Sequence, residues 1–116
     1  MKKNNIVRKK YEFDKIIKTG SCIKNSYYII FYKENNLDKY RFGISVGKKL
    51  GNAVLRNKYK RKLRNIIDNN KKYYQKSFDY IIIMKKSSID CEFKVLEEKF
   101  ISLINKINLK GDNDEK

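Results

Sequence analysis

Two hydrophobic periods alternate along this chain, and the switches between them divide it into elements. Residues 9–18 carry Phe13, Ile16 and Ile17 at helical spacing, with Gly20 as a stop signal. Residues 26–33, Ser-Tyr-Tyr-Ile-Ile-Phe-Tyr-Lys, are aromatic and β-branched and predict a strand. Residues 34–38 read as a turn, and residues 39–46 as a second strand, placed as the hairpin partner of the first. A further short strand fits near Cys22. After a loop at 48–51, Asn52 can cap a helix over 53–69. On that helix Leu55, Tyr59, Leu63, Ile66 and Ile67 share one face. The apolar run at 79–84, Asp-Tyr-Ile-Ile-Ile-Met, suits a strand central in a sheet. A last helix starts near Asp90 and places Phe93, Leu96, Phe100, Leu103, Ile104 and Ile107 at spacings of three and four. Its acids lie early, toward the positive end of the helix dipole. The order α-β-β-(β)-α-β-α predicts an α+β fold, a two-layer sandwich of helices on one sheet. One domain is expected over 1–110, with a disordered acidic tail at 111–116.

Charge changes the picture. The chain has 29 Lys and Arg against 13 Asp and Glu, a net +16. Such a balance favours an extended polyanion as partner, above all nucleic acid. The sequence is also rich in Lys, Asn and Ile, a bias that dilutes the meaning of any one lysine. The scarce arginines weigh more, and Arg56, Arg61 and Arg64 are three of only five. Arginine presents a planar fork that matches phosphate oxygens, whereas lysine acts as a point charge. On the helix at 53–69, Arg56, Lys60 and Arg64 follow one edge, and Asn57, Lys58 and Arg61 point outward.

Composition also removes chemistry. With no histidine, neither a Ser-His-Asp nor a Cys-His arrangement can be built. Cys22 and Cys91 alone cannot close a four-ligand zinc site. No apolar stretch follows the basic start, and none approaches the ~20 residues that span a bilayer. A cytoplasmic chain with reduced thiols is expected. Three functions stay open on these grounds: an RNA-binding protein of ribosomal or other structural type, a self-sufficient metal-dependent nuclease, and a peripheral membrane protein. The nuclease lacks a paired carboxylate motif, and the helix at 53–69 is only a partial fit to a membrane surface.

One segment discriminates further. Residues 41–64 read Arg-Phe-Gly-Ile-Ser-Val-Gly-Lys-Lys-Leu-Gly-Asn-Ala-Val-Leu-Arg-Asn-Lys-Tyr-Lys-Arg-Lys-Leu-Arg. They closely resemble the signature of the bacterial ribonuclease P protein subunit. Residues 13–20, Phe-Asp-Lys-Ile-Ile-Lys-Thr-Gly, and 79–83, Asp-Tyr-Ile-Ile-Ile, resemble its flanking motifs. The resemblance implies a sandwich like the second domain of ribosomal protein S5, with a left-handed strand-helix-strand crossover. It implies a subunit of a tRNA-processing endoribonuclease whose RNA subunit performs the cleavage, so that this chain carries no catalytic residue. Arg56, Asn57, Lys58, Lys60, Arg61 and Arg64 are then candidates for contact with ribonuclease P RNA. Phe13, Ile17, Tyr28, Phe31, Ser45, Val46 and Lys48 are candidates for a cleft holding the 5′ leader of precursor tRNA. Strand alternation puts Tyr28 and Phe31 on opposite faces, so at most one of them lines it. Mg²⁺ is implied for the holoenzyme, held mainly by RNA, with no tightly bound metal in this chain, no membrane association and no obligate protein partner. Two positions depart from the family pattern. Lys58 replaces an arginine fork by a point charge, and Ile17 replaces a stacking aromatic by an aliphatic group.

Overall fold

The computed structural model describes residues 5–114, with side chains through residue 109. Its elements are α1 (Lys10–Thr19), β1 (Ser21–Lys24), β2 (Tyr28–Glu34), β3 (Arg41–Ser45), α2 (Ala53–Asn69), β4 (Phe78–Met84) and α3 (Phe93–Asp114). Helix α3 continues past Gly111, where the sequence pattern ends the domain; of the expected acidic tail, residues 115–116 lie outside the described residues.

The four strands form one sheet in the order β1-β2-β4-β3. β4 is central, antiparallel to β2 and parallel to β3. The expected β2–β3 hairpin is therefore not formed, because β4 lies between them. The reason lies in β4 itself. Tyr80 and Ile82 point to one side and Ile81 to the other, all fully buried. A strand apolar on both faces gains most from a position with neighbours on both edges. β3 then reaches β4 through α2, as parallel neighbours require a crossover connection.

The two sides of the sheet are unequal. On one side Tyr28, Ile30, Phe42, Tyr80 and Ile82 meet Tyr59, Leu63, Ile66 and Ile67 of α2 and Leu96, Phe100, Leu103, Ile104 and Ile107 of α3 in the main core. Phe42 stacks on Tyr80 with ring centres 4.9 Å apart. On the other side a small cluster of Val7, Ile16 and Ile81 is flanked by half-buried Phe13, Ile17, Phe31 and Ile83. Among the described residues, only the short α1 and the chain entering it cover this second face, where Phe31 and Ile83 stay half-buried.

Local chemistry sets the boundaries of α2. The side chain of Asn52 accepts a hydrogen bond from the Leu55 N–H at 2.9 Å, satisfying one of the free donors of the first turn. Replacing Asn52 by Ala is expected to cost about 1 kcal/mol, read as a lower urea midpoint with an unchanged m-value. At the end of α1, Gly20 sits where expected, but for space: its φ is −81°. A Cβ there would lie 2.6 Å from the Ile16 carbonyl oxygen and 2.8 Å from that of Tyr32.

Candidate nucleic-acid interface

The basic helix is assembled as its periodicity implies. Tyr59, Leu63, Ile66 and Ile67 are buried, Leu55 is half-buried, and Asn57, Lys58, Arg61 and Arg64 face solvent. Arg56 and Lys60 are half-buried. The Nε of Arg56 is buried with no hydrogen-bond partner among the described residues. A guanidinium donor held out of water costs free energy until an acceptor reaches it, and a phosphate oxygen is an acceptor of the right shape.

The second candidate set divides. Phe13 and Ile17 of α1 and Phe31 of β2 do pack together, on the thinly covered face. Ser45 is half-buried on β3, two residues from Gly43, and alternation places both on that same face. Lys48 is exposed in the short 3₁₀ turn between β3 and α2. Tyr28 and Val46 stand apart from this group, in the main core on the other side of the sheet. Tyr28 is fully buried beneath α3, donates its hydroxyl to the Leu96 carbonyl at 3.0 Å and meets Phe100 edge to face. Burial raises its phenol pKa well above the ordinary value, with the nearby Cys91 adding to the rise. Val46 is 4% exposed and lies in the same main core. β2 alternates in register, so once Tyr28 enters the core Phe31 must face the other side.

Gly43 contributes room. A Cβ at Gly43 would lie 2.8 Å from the Phe13 ring and 2.7 Å from the end of Ile81. The bare backbone lets the ring lie against β3. Phe13 also lines a groove of about 150 Å³ whose walls include Val7, Phe42, Gly43, Ile44, Lys60 and Arg64. An aromatic from α1 and two cations from α2 thus border one hollow.

Sequence reasoning missed a second polar assembly. Arg41 of β3 donates through Nε and one terminal nitrogen to both carboxylate oxygens of Asp79 on β4, at 2.8 and 2.7 Å. Its other terminal nitrogen donates to Glu12 of α1 at 3.2 Å. Hydrogen bonding to Asp79, joined by that carboxylate's charge and by Glu12, raises the pKa of Arg41 against the opposing effect of burial. Among the described residues no group of three or more His, Cys, Asp or Glu could hold a metal ion, and no helix is long and apolar enough to cross a membrane.

A ribonuclease P family model matches residues 1–108. The chain belongs to the ribonuclease P protein family. The ribonuclease P protein component of Mycoplasma capricolum is 41% identical over 108 residues, covering 92% of this chain and 99% of the relative. That of Streptococcus pneumoniae serotype 4 is 35% identical over 118 residues, covering 100% and 96%. Among solved structures, the Thermotoga maritima ribonuclease P protein superposes with a TM-score of 0.80 at 33% identity, covering 86% of this chain and 94% of that one. The Staphylococcus aureus protein gives 0.82 at 31%, covering 89% and 94%. A mutant of the Staphylococcus protein with defective mRNA degradation activity gives 0.85 at 31%, covering 91% and 90%. Membership of the ribonuclease P family makes this chain an RNA-binding component of a tRNA-processing endoribonuclease, partnered by ribonuclease P RNA.

Proposed function

We propose that this chain holds ribonuclease P RNA and the 5′ leader of precursor tRNA together, and that the RNA performs the hydrolysis. The groove shared by Phe13, Lys60 and Arg64 carries this reading. Single-stranded RNA needs a surface on which a base can stack and cations that follow its backbone, and this groove offers both. Arg56, Asn57, Lys58, Lys60, Arg61 and Arg64 then face the phosphates of the RNA subunit, with Lys60 and Arg64 standing where that surface meets the groove. Phe13, Ile17, Phe31 and Ser45, with Lys48 at the loop, receive the leader. The Mg²⁺ that the hydrolysis needs would be held mainly by RNA phosphates. The protein's part is to neutralise phosphate repulsion and fix the leader, so that the scissile bond is positioned.

Reconstitution tests this. Added to ribonuclease P RNA at low Mg²⁺, the protein is expected to restore 5′ maturation of precursor tRNA, and the protein alone to give none. Maturation by the protein without RNA would refute the division of labour. Phe13→Ala is expected to weaken precursor tRNA binding by about five-fold or more, the loss of one stacked base at ~1–3 kcal/mol, and to leave mature tRNA affinity unchanged. Equal losses for both substrates would remove Phe13 from the leader site.

A further inference from the structure

Helix α1 carries Phe13 and Ile17, yet it is weakly held. It is 10 residues long, its N-cap Lys9 makes no side-chain cap, and Ile16 is its only buried residue. Isolated helices of this length are marginal in water, so docking must hold it in place. Along its other edge runs a cavity of about 340 Å³, bordered by Tyr11, Glu12 and Lys15 on the helix and by Lys33, Asn35 and Arg41 across from it. Apolar packing supports one side of α1, and its other edge borders this hollow.

Two polar connections cross at that hollow among the described residues: Lys33 of β2 donates to the Thr19 hydroxyl at the end of α1 at 2.7 Å, and the other runs through Asp79. Asp79 on the central strand is 6% exposed at its side chain and is gripped from two directions. Arg41 binds both of its oxygens, and the Asn35 amide donates to Oδ1 at 2.8 Å. Those hydrogen bonds fix the plane of the guanidinium, as a two-point Arg–carboxylate pair does. The remaining terminal nitrogen is thereby aimed at Glu12, the residue just before Phe13. A central strand, an edge strand and the helix are joined in series.

We infer that the Asp79–Arg41–Glu12 chain is a strut that sets the height and tilt of α1 over the sheet, and so the shape of the groove that takes the leader. Glu12 is a positioning residue: it acts through Phe13 and Ile17 and touches no RNA. The inference rests on the leader-binding reading for its consequence, but not for its geometry. Only Glu12 is a safe handle, because removing Arg41 or Asp79 strands a buried charge. Its side chain is 30% exposed, so the pair with Arg41 is worth little to global stability.

Hydrogen exchange and binding on the reconstituted holoenzyme test the strut. Glu12→Ala is expected to speed amide exchange in α1 while β4 keeps its protection, and to weaken precursor tRNA binding about two- to five-fold with mature tRNA unaffected. Glu12→Gln, whose amide oxygen still accepts from Arg41, is expected to retain most of the affinity. In the Glu12→Ala/Phe13→Ala pair the losses are expected to fall short of additive, because one acts through the other. Unchanged α1 exchange in Glu12→Ala overturns the strut whatever the tRNA results. So does full additivity with Phe13→Ala, or an equal loss for mature tRNA. If Phe13→Ala alone shows no preference for precursor, the leader reading falls, and the exchange pattern still decides the strut.

Discussion

Asp79→Ala is expected to destabilise the protein by about 3–5 kcal/mol, the range for removing one partner of a buried ion pair. The carboxylate accepts from Arg41 and from Asn35, and the Arg41 side chain is only 14% exposed. Without Asp79 the guanidinium keeps, among the described residues, a single partly exposed partner in Glu12. Replacing a well-solvated acid in this chain costs far less, as at Asp38, whose pair with Lys76 is 90% exposed on the acid side. Chemical denaturation of Asp79→Ala beside Asp38→Ala checks this. A difference under 1 kcal/mol between the two would show that Arg41 finds other solvation. The loss of Asp79 leaves the exposed basic surface of α2 untouched, so the fraction still folded is expected to assemble with ribonuclease P RNA normally.

The largest effect on binding is expected from Arg61→Ala combined with Arg64→Ala. Both side chains are exposed on α2, so their removal leaves the main core intact. Taking away one phosphate-binding cation flattens the dependence of log affinity on log salt by about 0.7–0.9, and taking away two flattens it by roughly 1.4–1.8. Affinity for ribonuclease P RNA at low salt is expected to fall by at least ten-fold, since charge-assisted hydrogen bonds are worth ~1.5 kcal/mol or more each. Titrations at several salt concentrations read both quantities. An unaltered slope would place neither arginine on the RNA.

Local features of the fold were readable from sequence, and pairings between distant segments were not. Helix α2 was legible to its ends because its cap, its period and its cationic edge all lie within one short segment. Three isoleucines in a row made the central place of β4 legible. The partner of β3 was not, since nothing in residues 39–46 records that a strand from far along the chain will insert beside it. Alternation separated Tyr28 from Phe31, but which of them entered the core depended on where α3 packs. The Arg41–Asp79–Glu12 chain was hidden for a related reason. Its members lie 38 and 29 positions apart, and among 29 basic residues no single arginine announces a buried partner. The recess for Phe13 at Gly43 could have been suspected from a glycine inside a strand, a mark of close approach.

The strand order has a consequence for synthesis. β2 is complete early, yet the neighbour that covers its inner edge is β4, which follows β3 and all of α2. As the chain leaves the ribosome, Ile29 to Tyr32 wait with one row of backbone groups unmatched while a strongly cationic stretch emerges behind them. An unmatched apolar strand invites wrong partners, and charge repulsion between nascent chains counters that hazard. A net charge of +16 sets such unfinished copies against one another.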